Sequence, residues 1–212
     1  MKTFNCMKIP EYIATYEELF APLKDKPVTI LELGVLSGAS LLMWYEYFTH
    51  QNSKIIGLDM SPPVNLEALY PQDHEVNLCH FREHVFQYQG QQDDDYLLES
   101  IIQKHGPFDI VIDDASHRLA PTAASFRGLK DHVKPGGLYI IEDWGTGYWD
   151  PSRGFDGEAY QGPLTQHDAG MVRLIKLLVD EIGANDLPAP YTRTTEWKSL
   201  DIRWGQAILR KK

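Results

Sequence analysis

The sequence predicts a doubly wound α/β fold, a mostly parallel sheet with helices on both faces and an antiparallel hairpin at its C-terminal end. Three observations predict it. Short apolar runs alternate with stretches of helical periodicity. Those runs are continuous in Val, Ile and Leu. The last two follow one another without a helix between them. Strand–helix alternation implies parallel βαβ units, and continuous apolar strands fit a sheet buried on both faces.

Ile13, Tyr16, Leu19, Phe20 and Leu23, spaced by three and four, predict a helix over 10–23 that ends at Lys24-Asp25-Lys26-Pro27. Val28–Leu33 reads as the first strand. A glycine-bearing turn and a helix from Ser40 to about His50 follow. Lys54–Asp59 is a second strand and Phe81–Tyr88 a weaker third. Asp95–His105 reads as a helix and Phe108–Asp114 as a fourth strand. Ala120–Val133 is a helix closed by Lys134-Pro135-Gly136-Gly137, and Leu138–Asp143 is the fifth strand. Residues 144–168 form an aromatic, Gly-rich insertion without periodicity, and ordered loops of that length are often lids. Gly170–Ile182 is helical, and Tyr191–Lys198 with Ile202–Arg210 forms the terminal hairpin. There are no internal repeats. Residues 1–212 read as a single domain.

Composition narrows the function classes. Hydrophobic residues make up 43% and charged residues 24%, as in soluble globular chains. The net charge of −10 argues against nucleic acid or an anionic membrane as partner. The two cysteines, Cys6 and Cys79, have neither metal nor redox spacing. Without a signal-peptide run or an apolar stretch long enough to span a bilayer, the expectation is a cytoplasmic protein.

The strand ends carry the functional signal. Glu32, Asp59, Asp113 with Asp114, and Glu142 with Asp143 all close strands. In such sheets ligands bind beyond the carboxyl ends of the strands, at the switch point. The turn Glu32-Leu33-Gly34-Val35-Leu36-Ser37-Gly38 brings Gly34 and Gly38 close to a ligand, with Ser37 and Ser40 beside them. Asp59, 25 positions after Gly34, suits a ribose diol. The G-x-x-x-G spacing is neither a dinucleotide fingerprint nor a P-loop, which disfavours a dinucleotide oxidoreductase. A turn headed by an acid suits a ligand with a cationic amine and no phosphate, such as S-adenosylmethionine. Alternatively, the two glycines only shape a tight strand–helix turn.

Leu31–Ser40 with Ile55–Asp59 resembles motif I and its successor in class I S-adenosylmethionine-dependent methyltransferases. That resemblance implies a seven-stranded sheet whose last strand is inserted antiparallel. Asp113-Asp114-Ala115-Ser116-His117, followed by Lys134–Trp144, resembles the macrolide and sugar O-methyltransferases of the mycinamicin and macrocin type. The resemblance implies magnesium dependence and an adenine segment at Gln89–Asp94. Relatives usually carry Asp where Gln91 stands, which leaves the contact to Gln92 or a neighbouring Asp. Ala115 stands where relatives commonly have Gly.

Asp114, Glu142 and Asp143 are three hard oxygen ligands of the kind Mg²⁺ takes, with substrate hydroxyls completing the shell. His117, just beyond the same strand, is placed to accept the hydroxyl proton as general base. The resemblance implies the same roles for these four residues. Asp113 is expected on the cofactor side, near the methionine amine. Trp144, Tyr148 and Trp149 offer aromatic faces to a sugar or polyketide, and lid packing explains them equally well. A lone His after a strand is also a common loop residue, and strand-end carboxylates also cap helices. Tyr12 and Tyr16 either cover the cofactor or belong to the core. The other histidines have no ligand-like spacing.

The expectation is an S-adenosylmethionine- and Mg²⁺-dependent O-methyltransferase acting on a glycosylated or polyhydroxylated small molecule in natural-product tailoring. The alternatives are a metal-independent O- or N-methyltransferase and an inactive S-adenosylmethionine-binding module. A homo-oligomer is left open.

Overall fold

A computed structural model describes residues 1–70, 78–162, 166–186, 190 and 194–212. Among these residues seven strands form one sheet: β1 (Thr29–Leu33), β2 (Lys54–Asp59), β3 (Val85–Gln89), β4 (Phe108–Asp113), β5 (Val133–Glu142), β6 (Trp197–Arg203) and β7 (Gln206–Lys211). Their order is β3-β2-β1-β4-β5-β7-β6. The first five run parallel, and β7 enters antiparallel between β5 and β6. The order reverses between β1 and β4, which is the switch point.

Period-two alternation sorts the strands between two cores. Ile30, Ile55, Ile110, Ile112, Leu138 and Ile140 face α1 (Pro10–Phe20) and α2 (Ala39–Tyr47). Phe81 of the short α3 (Leu78–His84) joins this side. Leu31, Leu33, Val111, Tyr139 and Ile141 face α4 (Asp95–His105), α5 (Leu119–Leu129) and α6 (Gly170–Gly183). Pro10 opens α1, where its fixed φ and missing N–H are harmless. Tyr12, Tyr16 and Phe20, one turn apart, bury its inner stripe.

Several boundaries differ from expectation. Helix α1 stops at Phe20, and Ala21–Leu23 continues only as a 3₁₀ turn. The expected third strand over 81–88 is half helix, because Phe81–His84 belongs to α3 and β3 starts at Val85. Lys134-Pro135-Gly136-Gly137 lies inside β5, with a register irregularity between Phe108 and Ile110 on the neighbouring strand. The terminal hairpin turns at Trp204-Gly205, later than the sequence suggests. Gly205 has φ +69°, and Arg203 pairs with Gln206 around a two-residue turn. Of the expected strand 191–198, residues 191–193 lie outside the described residues. No helix among the described residues is long and apolar enough to cross a membrane.

Candidate functional site

Strand parity decides which acids meet. Asp113 pairs with Leu33 on one side and Ile141 on the other. Asp114 therefore falls beside Glu142, with Glu32 one step further down, on the face that carries Ile112 and Ile140. Asp113 points to the opposite face. The sequence expects it near the cofactor, and here it is held in a buried side-chain network. It is 2% exposed, and Gln92 Nε2 (3.0 Å) and Ser125 Oγ (2.5 Å) donate to it. Burial pushes its carboxyl up to about 6, against Ser125, the charge of His117, the Ala115 amide and Gln92. The Gln92 amide is spent in this network, because its Oε1 also accepts from the Ser116 amide. Gln91 and Asp93 stand on either side of Gln92, outside this network.

Two cavities meet at the switch point. One, about 540 Å³, is walled by Asp59, Met60 and Gly90–Asp93 on one side and by Ala115, Ser116 and Phe155 on the other. The second, about 300 Å³, lies between Gly34–Ser37 and the row Asp114, His117, Glu142 and Asp143, and the N-terminal residues Cys6–Ile9 with Tyr12 close it. Gly34, Asp59 and Ala115 border both. Gly34 has φ +82°, and a Cβ there would stand 2.2 Å from the Asp114 carbonyl oxygen, so the β1 and β4 turns approach only through glycine. Asp59 Oδ2 accepts from the amides of Val35 (2.9 Å) and Leu36 (3.0 Å), which folds the first turn over the end of β2.

Not every expected contact borders a cavity. Glu32 is fully buried behind the turn, and Ser40 Oγ (2.6 Å) and Trp44 Nε1 (3.0 Å) donate to its Oε2. Ser37 and Ser40 border the smaller cavity, but the Ser40 hydroxyl is given to Glu32. Gly38, at φ +82°, opens α2 against Leu66 and Pro63 and borders neither cavity. Nor do Trp144, Tyr148 and Trp149. Trp144 Nε1 donates to the Arg203 carbonyl, Tyr148 packs on His167, and Trp149 lies against Phe155 and the Arg153 guanidinium. Phe155 alone of that insertion's aromatic residues borders the larger cavity.

His117 Nε2 stands 3.8 Å from both Asp114 Oδ1 and Asp143 Oδ2. These three residues each offer a ligand atom, all within 4.8 Å of one another. Two carboxylate oxygens and an imidazole, open to a cavity, fit a divalent cation of the magnesium class through the oxygens. Glu142, expected as a third oxygen ligand, turns inward. It accepts from the Tyr16 hydroxyl and, at 2.8 Å, from Lys8 Nζ. Tyr12 donates to Asp143 Oδ1 at 2.5 Å, and burial raises its phenol further beyond the ordinary range.

Lys8 escaped the sequence reading. Its ammonium lies 2.9 Å from Asp114 Oδ2 and 2.9 Å from Glu32 Oε1, in addition to Glu142. The Glu32 contact lacks hydrogen-bond alignment, so Oε1 has an ion pair and no donor. Burial works to strip the Lys8 proton, but Asp114, Glu142 and Glu32 hold it well above the usual lysine range. Burial, with Asp114 beside it, pushes Glu142 up to about 8 against the pull of Lys8. The directions agree, because three acids, Glu32 and Glu142 buried and Asp114 half-buried, share one ammonium and one acid keeps its proton more readily. Gln206, paired with Glu142 across β5 and β7, is fully buried, and neither end of its amide has a partner among the described residues. The one local hint of Lys8 was a lone charge between apolar neighbours in Met7-Lys8-Ile9.

A family profile described as a methyltransferase domain matches residues 31–144. The chain is similar to mycinamicin VI 2''-O-methyltransferase of Micromonospora griseorubida, 35% identical over 88% of this chain and 43% of that protein. It is similar to demethylmacrocin O-methyltransferase of Streptomyces fradiae, 33% identical over 82% of this chain and 40% of that one. Among solved structures it superposes on the MycE methyltransferase of the mycinamycin biosynthetic pathway in complex with Mg, SAH and mycinamycin VI. The TM-score is 0.73 at 31% identity, covering 94% of this chain and 48% of that one. The chain thus spans about two fifths of the curated relatives' length.

Proposed function

The chain belongs to the methyltransferase domain family, and from that premise we propose that it moves the methyl group of S-adenosylmethionine to a hydroxyl of a glycosylated or polyhydroxylated small molecule, with Mg²⁺ at the acceptor. One observation carries the reading. The row Asp114, His117 and Asp143 faces, across Gly34, the end of β2 where Asp59 stands.

The larger cavity takes the adenosine, with Asp59 accepting the ribose hydroxyls in place of the turn amides it now holds. Gln91 and Asp93 meet the base. The smaller cavity takes the methionine end and the acceptor hydroxyl. Asp114 and Asp143 would hold the metal, with Glu142 joining them only in place of the Lys8 and Tyr16 bonds it now accepts, and the metal when bound would orient the acceptor oxygens and stabilise negative charge on them. His117 Nε2 takes the hydroxyl proton as the oxygen attacks the methyl carbon, and the sulfonium leaves as a neutral thioether. Asp143 and Asp114 flank the imidazolium so formed. Tyr12 fixes Asp143 by its hydrogen bond. The acceptor class follows the relatives, whose names give O-methylation of mycinamicin VI and of demethylmacrocin. The calorimetric titration that tests the proposal uses S-adenosylhomocysteine with and without EDTA, followed by turnover on glycosylated macrolides. Binding is expected in both titrations and turnover only with metal. Absent binding overturns the proposal, and metal-indifferent turnover overturns its metal part.

A metal-free transferase has one observation in its favour, because Lys8 already pairs with Asp114 and Glu142. EDTA-resistant turnover would select it.

A further inference from the structure

Lys8 is a cation already seated among the acids proposed to bind another. Its side chain is 3% exposed. Two of its N–H groups form hydrogen bonds to Asp114 Oδ2 and Glu142 Oε1, and the third side of the ammonium meets Glu32. Glu32 is anchored by Ser40 and Trp44 and borders neither cavity. It therefore holds the ammonium from below whatever happens above. Asp114 and Glu142 are contested, because Glu142 gives Lys8 an oxygen it would otherwise offer as a third ligand, and Asp114 divides its charge between Lys8 at Oδ2 and the His117–Asp143 side at Oδ1. A second cation on the same two carboxylates would stand a few ångströms from the first, in a poorly hydrated place where like charges repel strongly.

We infer that Lys8 is a resident counter-ion of the acceptor site, competing with a divalent cation for Asp114 and Glu142 and weakening that cation's hold. The inference rests on the reading that the site takes such a cation. It also makes the N-terminal segment part of the site's affinity, since Cys6–Ile9 walls the same cavity. A site tuned in this way releases its metal readily.

The test uses Mn²⁺ as probe, titrated by electron paramagnetic resonance into the full chain saturated with S-adenosylhomocysteine. Lys8→Met alone leaves Glu32 buried without its counter-ion and risks unfolding. Lys8→Met combined with Glu32→Gln removes one charge of each sign and spares Asp114, Glu142 and Asp143. The double variant is expected to bind Mn²⁺ at least about tenfold tighter than the unsubstituted chain, and the single variant, where circular dichroism shows it folded, to shift the same way. A merely structural Lys8 would lower the melting temperature and leave Mn²⁺ affinity unchanged or weaker, which overturns the inference. Binding of Mn²⁺ to none of the proteins overturns the divalent-cation reading and the inference together, whereas equal binding to all overturns the inference alone.

Discussion

His117 and Asp143 face each other at 3.8 Å, and both hold a left-handed backbone, φ +51° and +53°. Neither is glycine, so each conformation costs about 1 kcal/mol or more that the surroundings must offset. Part of that support is visible, since Thr146 Oγ1 donates to the His117 carbonyl at 3.2 Å and so ties the turn after β4 to the turn after β5. Strain of this kind collects where side chains must be aimed. His117→Ala is expected to keep S-adenosylhomocysteine affinity within about threefold and to lose about 10²–10⁴ of turnover. Turnover near that of the unsubstituted protein would remove His117 as base.

Gly34 sets the distance between the two halves of the site. In Gly34→Ala the new methyl meets backbone, which cannot turn aside as a side chain can. The expected loss is about 2 kcal/mol or more of stability, from the left-handed φ and the collision together, with S-adenosylhomocysteine binding weakened as well. Urea unfolding and calorimetry read both, and an unchanged urea midpoint would show that the turns separate freely.

Gln206 carries an amide buried opposite Glu142 without partners among the described residues. Leaving such groups unpaired costs about 1–3 kcal/mol. Gln206→Leu, similar in volume and needing no partner, should raise stability by about 1 kcal/mol in chemical denaturation. A loss of stability would mean that the amide has an essential partner.

His105 closes α4. Its Nε2 lies 2.7 Å from the Tyr88 hydroxyl, and Nδ1 is buried without a partner among the described residues. Burial lowers its proton affinity below the ordinary imidazole range, with Lys54 and Lys104 adding to the effect. The unfolded chain takes a proton near pH 6.5 that the folded chain resists. This contribution to stability is therefore full above about pH 6.5 and is lost as pH falls through the lower folded value. His105→Gln should lose less of its urea midpoint between pH 7.5 and 5.5 than the unsubstituted chain. An equal loss in both would assign the pH dependence elsewhere.

Much of the sheet was legible because its signal is local. Lys54–Asp59 and Asp95–His105 have the expected bounds, since each ends at a turn or cap, Asp94 accepting from the Leu97 amide at the start of α4. The acids gathered at one edge because parallel strands all end there. Which of them share a face was legible only as parity. Asp114 and Glu142 keep step with Ile112 and Ile140, whereas Asp113 keeps step with Val111, but parity alone does not say which face holds the cavity. The start of β5 was hidden because Pro135-Gly136-Gly137 normally reads as a turn. Lys8 was hidden because its partners are long-range, and no period or cap in Met7-Lys8-Ile9 points to strands so far along the chain.

That separation has a consequence for synthesis. Lys8 and Glu142 are 134 positions apart, and Lys8 and Asp114 106. Loop-closure entropy grows only as the logarithm of length, so the span itself costs little in equilibrium stability. Its effect is on order in time, because non-local contacts must wait for their partners. Lys8 leaves the ribosome well before Asp114 and Glu142 and finds its place only once β5 has emerged and paired. Until then its amine is open to water. Nascent chains halted before Val133 should take an amine-directed label at Lys8 that the finished protein refuses.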